Sequence, residues 1–212
     1  MSGIAIIDYG VGNLFSLCSS LDCLGLEHRV TRSPEEIAAA DRIILPGVGA
    51  FGDAMEKLEG LKLTGLLREQ AARGKPLLGI CLGMQLLFEK SCEYGEHLGL
   101  NLLPGQVRPL AEDLGPEWKI PEMGWNSLRI RRPHPVLDQV REGDYVYYVH
   151  SYYAKDCGTC LIASSDYGVE VPGVVAGGSV VGTQFHPEKS GAAGLSILAG
   201  FARFQPEGGV EP

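Results

Sequence analysis

Positive charge is scarce in this chain: 18 Lys and Arg face 26 Asp and Glu over 212 residues, for a formal net charge of −8. Affinity for a phosphate backbone needs clustered Lys and Arg, so no nucleic acid partner is expected. Long apolar runs are also missing. No window approaches the roughly 20 apolar residues that span a bilayer. The amino terminus offers only Gly3–Ile7 before Asp8, with no basic stretch ahead of it, so neither export nor a membrane is expected. Cysteine is limited to positions 18, 23, 81, 92, 157 and 160, too sparse and irregular for a disulfide framework. These absences together read as a cytoplasmic protein. A phosphate-binding signature is absent as well: there is no G-x-x-x-x-G-K-[ST].

What is present is an ordinary globular composition, 45% apolar and 21% charged, too apolar for a disordered chain. The first half alternates short apolar runs with helical patterns. Strands are expected at Ile4–Ile7, Glu27–Thr31, Arg42–Leu45 and Pro76–Ile80, and helices across Leu14–Leu24, from Ser33-Pro34-Glu35-Glu36, over Asp53–Leu58 and Leu63–Ala72, and at Leu82–Glu89. This alternation predicts an α/β fold with a mostly parallel central sheet flanked by helices. After about Gly95 the chain becomes β-rich and broken by Gly, Pro and Asp, which predicts meander strands added to the same sheet. A last helix is expected at Leu195–Phe204. The reading is one domain over 1–212, with a core at about 4–204 and a frayed tail at 205–212.

Three segments carry chemistry. Gly79-Ile80-Cys81-Leu82-Gly83 falls at a strand-to-helix junction. Glycines on both sides of a nucleophile permit the tight turn that lifts it above a sheet edge, and a following helix start favours a thiolate. The Leu82 amide is then available to an oxyanion. Gln184-Phe185-His186-Pro187-Glu188 ends the last expected strand. In an extended segment His186 and Glu188 project to the same side, as a base and the acceptor that orients it. Pro46-Gly47-Val48-Gly49-Ala50-Phe51 follows a third strand, where glycines let an N–H approach a ligand. All three lie at carboxyl ends of strands, where open α/β sheets place their active sites.

These segments, GICLGMQLLFE, QFHPEKS and PGVGAF, resemble the class I (triad-type) glutamine amidotransferases. With IDYGVGNLFS, MGWN (Met123–Asn126) and YYVHSYY (Tyr147–Tyr153), the chain resembles more narrowly the glutaminase subunits of imidazole glycerol phosphate synthase, over about residues 4–204. The resemblance implies a Cys81 nucleophile, His186 as general base and acid, and Glu188 orienting His186. It implies an oxyanion hole from the Leu82 N–H and the Val48–Gly49 stretch, the latter after a peptide reorientation. Glutamine, the substrate, would be held by Gln85, the backbone around Gly47, and His150-Ser151-Tyr152. No metal and no organic cofactor is required. Glu122 stands where the family pattern has His, a peripheral departure that leaves the triad untouched.

A glutaminase needs an acceptor for its ammonia, and this chain has no room for one. The resemblance implies a (β/α)8-barrel cyclase partner in a heterodimer serving histidine biosynthesis, with Asn13, Trp125 and Lys189 near the interface. Trp125 would be a buried anchor and Lys189 an ion-pair partner. Two alternatives are a glutaminase serving another synthase, such as one making pyridoxal phosphate, and a non-catalytic binding module of the same fold. Cys157-Gly158-Thr159-Cys160 reads as spacing in a hairpin rather than a redox pair or half a zinc site. Cys18 and Cys23 are expected in or near the core.

Overall fold

A computed structural model describes residues 3–206. Its first part is β1 (Ile4–Ile7), α1 (Leu14–Cys23), β2 (His28–Thr31), α2 (Pro34–Ala39), β3 (Arg42–Gly47), α3 (Phe51–Gly60), α4 (Leu63–Ala72), β4 (Leu77–Cys81) and the single turn α5 (Leu82–Gln85). There follow β5 (Lys90–Ser91), β6 (His97–Leu98), β7 (Gln106–Pro109), β8 (Glu122–Ser127), β9 (Arg129–Ile130), β10 (Tyr145–His150), β11 (Tyr152–Lys155), β12 (Leu161–Asp166), β13 (Glu170–Gly177), β14 (Val180–Thr183) and α6 (Gly191–Arg203). The central sheet has the order β2-β1-β3-β4-β14-β13-β12-β9. Its β2-to-β14 part is parallel, and the remaining strands join antiparallel.

Both sheet faces are buried. Ile4 and Ile6 enter one apolar cluster and Ala5 and Ile7 the other, as the period-2 alternation of a strand requires. This is why β1, β3 and β4 are apolar throughout. Each fully buried Leu or Ile here contributes about 1.5–3 kcal/mol, enough to make the parallel core a rigid base for the loops above it. Local signals set the flanking helices: Ser33 caps α2 by accepting from the Glu36 N–H, with Pro34 at the first helical position.

Register then positions the chemistry. Gly47, the last residue of β3, lies directly opposite Cys81, the last of β4. On the other side of β4, Thr183 of β14 pairs with Ile80, so the chain that continues from β14 emerges beside Cys81.

Several expectations are corrected. The helix after Cys81 stops at Gln85 rather than Glu89. Leu82–Phe88 are buried on every side, so periodicity could not mark a helix end. Beyond Gln85 the backbone pairs with residues 99–105 instead: Leu100 N–H donates to Leu86 O and Glu89 N–H to Gly105 O. The late strands do not all extend the central sheet. β8 and β10 form a two-stranded sheet of their own, and β11-β7-β5-β6 a four-stranded one. The last helix begins at Gly191, α3 extends over Phe51–Gly60, and Cys23 is exposed while Cys18 is half-buried. Of the expected tail, residues 207–212 lie outside the described residues. No helix among the described residues is long and apolar enough to cross a membrane.

Candidate active site

Cys81 has φ 54° and ψ −110°, a backbone conformation L-residues rarely adopt. Holding a non-glycine residue there costs about 1–3 kcal/mol and persists only where its surroundings enforce it. The surroundings are the two glycines. A Cβ on Gly79 would stand 2.5 Å from the Gly83 carbonyl oxygen, and one on Gly83 would collide with the Leu45 carbonyl. A Cβ on Gly47 would meet the Tyr9 hydroxyl at 2.6 Å. That hydroxyl donates to the Pro46 carbonyl at 2.8 Å, fixing the strand end beside the nucleophile. Burial and the nearby Cys81 both push the Tyr9 phenol up, so it remains a neutral donor.

His186 follows β14 in an extended conformation, its N–H donating to Tyr147 O at 3.0 Å. Glu188 is reached by a different geometry from the extended pair expected. Pro187–Lys189 form a 3₁₀ turn with Pro at its first position, and the turn brings Glu188 back beside the ring. His186 Nδ1 lies 2.8 Å from Glu188 Oε1, and both side chains are 3% exposed. Burial acts to lower the imidazole pKa, but the contacts with Cys81 and Glu188 outweigh it and raise it to about 9. Because Nδ1 is taken by Glu188, Nε2 is the nitrogen left for Cys81. It is buried without an aligned hydrogen bond, the loose geometry common before a substrate is bound.

Cys81 and His186 open onto one cleft of about 520 Å³, also walled by Val48, Gly49, Leu82, Gln85 and His150-Ser151-Tyr152. Every residue expected for the triad, the oxyanion hole and glutamine contact therefore lies at this cleft, except Gly47 and Glu188, which lie immediately behind it with Asn13 and Val48. Gly49 has φ +97°, a conformation open to glycine, and Val48 is half-exposed. Two larger depressions lie at the opposite, amino ends of the strands, around Ile4, Glu27 and Arg42, and neither is lined by a cysteine.

Three residues at the site were not singled out from sequence, and a fourth was read there as peripheral. Gln184 is fully buried, with Nε2 3.8 Å from Cys81 Sγ and Oε1 accepting from Gln85 Nε2 at 3.1 Å. Glu93 lines the cleft and accepts the Phe51 N–H at 2.6 Å, supplying the start of α3 that Ala50 leaves uncapped. Burial pushes the Glu93 carboxyl up, partly offset by that N–H and by His97. Tyr9 is the third. Glu122 is the fourth and corrects an expectation: it is 3% exposed and lies 3.0 Å from the ring of His150, so the departure from His is not peripheral. Glu93 lies four positions beyond the GICLGMQLLFE segment with no local pattern to mark it, and Gln184 heads the QFHPE segment itself.

The three expected interface residues divide. Asn13 caps α1, accepting from the Ser16 N–H at 3.4 Å. Trp125 is 55% exposed, which removes it from the core. Its ring centroid lies 6.0 Å from that of Tyr147, and Lys189 Nζ sits 5.8 Å from the same Tyr147 centroid, so Trp125, Tyr147 and Lys189 form one surface cluster. Cys157 and Cys160 are free and buried in the turn between β11 and β12, strands of different sheets rather than one hairpin. Among the described residues no group of three or more metal-ligating side chains comes together.

A strained cysteine on a glycine elbow thus shares one cleft with a carboxylate-bound histidine at the carboxyl edge of the parallel strands. The glutamine amidotransferase class-I family model matches residues 5–203, and the chain belongs to that family. Within it the chain groups with one kind of subunit. It is 54% identical over 198 residues to the imidazole glycerol phosphate synthase subunit HisH of Bacillus cytotoxicus, covering 93% of each chain. It is 52% identical to the HisH subunit of Listeria monocytogenes, covering 93% of this chain and 94% of that one. A solved glutamine amidotransferase shares the fold with a TM-score of 0.74 at 19% identity, covering 94% of this chain and 97% of that one.

Proposed function

We propose that this chain is the glutaminase subunit of an imidazole glycerol phosphate synthase, using Cys81, His186 and Glu188 as its triad. The observation that carries the reading is Cys81 held at positive φ beside the buried His186–Glu188 pair, on a cleft bounded by the Val48–Gly49 loop. The Cys81 thiolate attacks the side-chain carboxamide carbon of glutamine. The Leu82 N–H and one from Val48–Gly49 receive the tetrahedral oxyanion. Imidazolium His186 protonates the departing nitrogen, ammonia leaves, and a glutamyl thioester remains. His186 then takes a proton from water, which attacks the thioester and releases glutamate. Glu188 holds the ring in place throughout.

Glu93 supplies recognition. A buried carboxylate whose charge is disfavoured by burial gains from an arriving cation, and the α-ammonium of glutamine is one. Gln85 and the Ser151–Tyr152 backbone form the facing wall.

The relatives are subunits of a synthase, and on this reading the ammonia goes to a separate subunit. We assign that role to a (β/α)8-barrel cyclase in a heterodimer, docked over the Trp125–Tyr147–Lys189 cluster next to the base. Labelling with a glutamine-mimicking electrophile tests the site. Mass spectrometry should find the adduct on Cys81, and glutamine should protect against it. An adduct spread over Cys23 and Cys92 while Cys81 stays unmodified would overturn the triad.

A further inference from the structure

β8 and β10 pair only with each other, and the second of them touches both His186 and Cys81. Tyr147 O accepts from the His186 N–H, and Val149 O lies 3.9 Å from Cys81 Sγ. At the end of β10, His150 stands directly across from Glu122, the first residue of β8. Both side chains are almost fully buried, 2% and 4% exposed.

The His150 ring is held from two sides by oxygens. Nδ1 is 2.9 Å from the Tyr152 carbonyl and Nε2 is 3.0 Å from Glu122 Oε2, close but not aligned as a hydrogen bond. The ring is thus wedged between a backbone carbonyl and a buried carboxylate. Glu122 is itself held: its Oε1 accepts from Asn126 Nδ2 at 3.0 Å. The Tyr152 carbonyl also receives Gln85 Nε2 at 2.9 Å, Gln85 reaches Gln184, and Gln184 reaches Cys81 Sγ. A run of close polar contacts thus leads from Glu122 to the nucleophile, hydrogen-bonded from His150 onward.

We propose that Glu122 is a positioning residue for glutamine hydrolysis, acting through His150 and the doubly held Tyr152 carbonyl to fix the glutamine-binding wall of the cleft. The proposal rests on the glutaminase reading. Glu122 does not touch the substrate. It locks a ring that locks a carbonyl, and a loosened wall weakens glutamine in the ground and transition states alike. Such a loss appears in KM rather than in kcat.

The test is steady-state glutamine hydrolysis by Glu122→Met, Glu122→Gln, His150→Ala and the Met/Ala double variant, in the assembled complex. Glu122→Met fills the space but removes the acceptor, and KM should rise about tenfold while kcat stays within about threefold. Glu122→Gln keeps the Asn126 contact and can donate its amide to a neutral His150, so KM should stay within about threefold of wild type. On the His150→Ala background, Glu122→Met should add less than about twofold, since both act through one ring. An unmoved KM in Glu122→Met, or an equal penalty with and without His150, overturns the proposal. So does a tenfold KM rise in Glu122→Gln, which keeps shape and folds whatever the Met variant does. A wild-type complex that releases no glutamate would instead overturn the glutaminase reading itself.

Discussion

At the scale of single residues, the site is built from conflicts that the surrounding fold enforces. Cys81 is the sharpest, and its strain is measurable. Cys81→Ala keeps a Cβ at φ 54°, whereas Cys81→Gly relieves it. Relief of about 1–3 kcal/mol competes with about 0.5–1 kcal/mol of glycine entropy, leaving the Gly variant the more stable of the two by about 1 kcal/mol. That is a melting temperature about 2–4 °C higher for Cys81→Gly than for Cys81→Ala, and equal melting temperatures would show that the elbow stores no strain. His186 gives a second prediction. Its pKa is raised to about 9 over an ordinary 6.5 by Cys81 and Glu188, against burial. A raised folded-state pKa contributes stability that is fully present below 6.5 and lost as pH rises through about 9. Melting temperature should therefore fall over that window. In Cys81→Ala one raising contact is gone, so an NMR titration should find the His186 pKa lower than in the native chain. An unchanged value would remove Cys81 from contact with the ring.

Elements rather than residues decide how close the oxyanion loop and the nucleophile can come. β3 and β4 end side by side, and α5 tucks beneath β3 because Gly83 has no Cβ to strike the Leu45 carbonyl. Gly83→Ala should destabilise by about 1–3 kcal/mol or more through forced backbone displacement. It should also remove glutamine hydrolysis, read by denaturant unfolding and by glutamate release; a folded, fully active variant would contradict the packing described. This part of the site was legible in the sequence, since G-x-C-x-G states its steric requirement locally. The same holds for Ser33-Pro34 at the start of α2 and for the apolar strands β1, β3 and β4. What was not legible depends on pairing at a distance. Glu93 caps a helix that begins forty-two positions earlier, and β8 and β10 leave the central sheet for each other with no periodic signal to announce it. Glu122 was visible as a departure from the family pattern. Its burial against His150 became readable only through the β8–β10 register.

The whole molecule presents its chemistry at the carboxyl edge of the parallel strands, and its most exposed large side chains include Trp125 and Met123 of β8. A Trp that is 55% exposed contributes little to the fold of the chain alone. Trp125→Ala should leave the unfolding free energy within about 0.5 kcal/mol. If β8 is the docking strand, the same change should weaken association with the cyclase by about 2 kcal/mol or more, near thirtyfold in Kd. Unaltered affinity by calorimetry would move the interface elsewhere. Asn13 behaves differently, because its cap on α1 joins any interface effect to a loss of helix stability. The account as a whole stands on glutamine turnover at Cys81 coupled to a synthase partner. The measurement is glutamate release by the purified chain, alone and with the proposed cyclase partner, beside Cys81→Ala. The account predicts low release alone, a strong rise in the complex and none from the variant. Release from Cys81→Ala equal to that of the native chain, or none from the native complex, would contradict it.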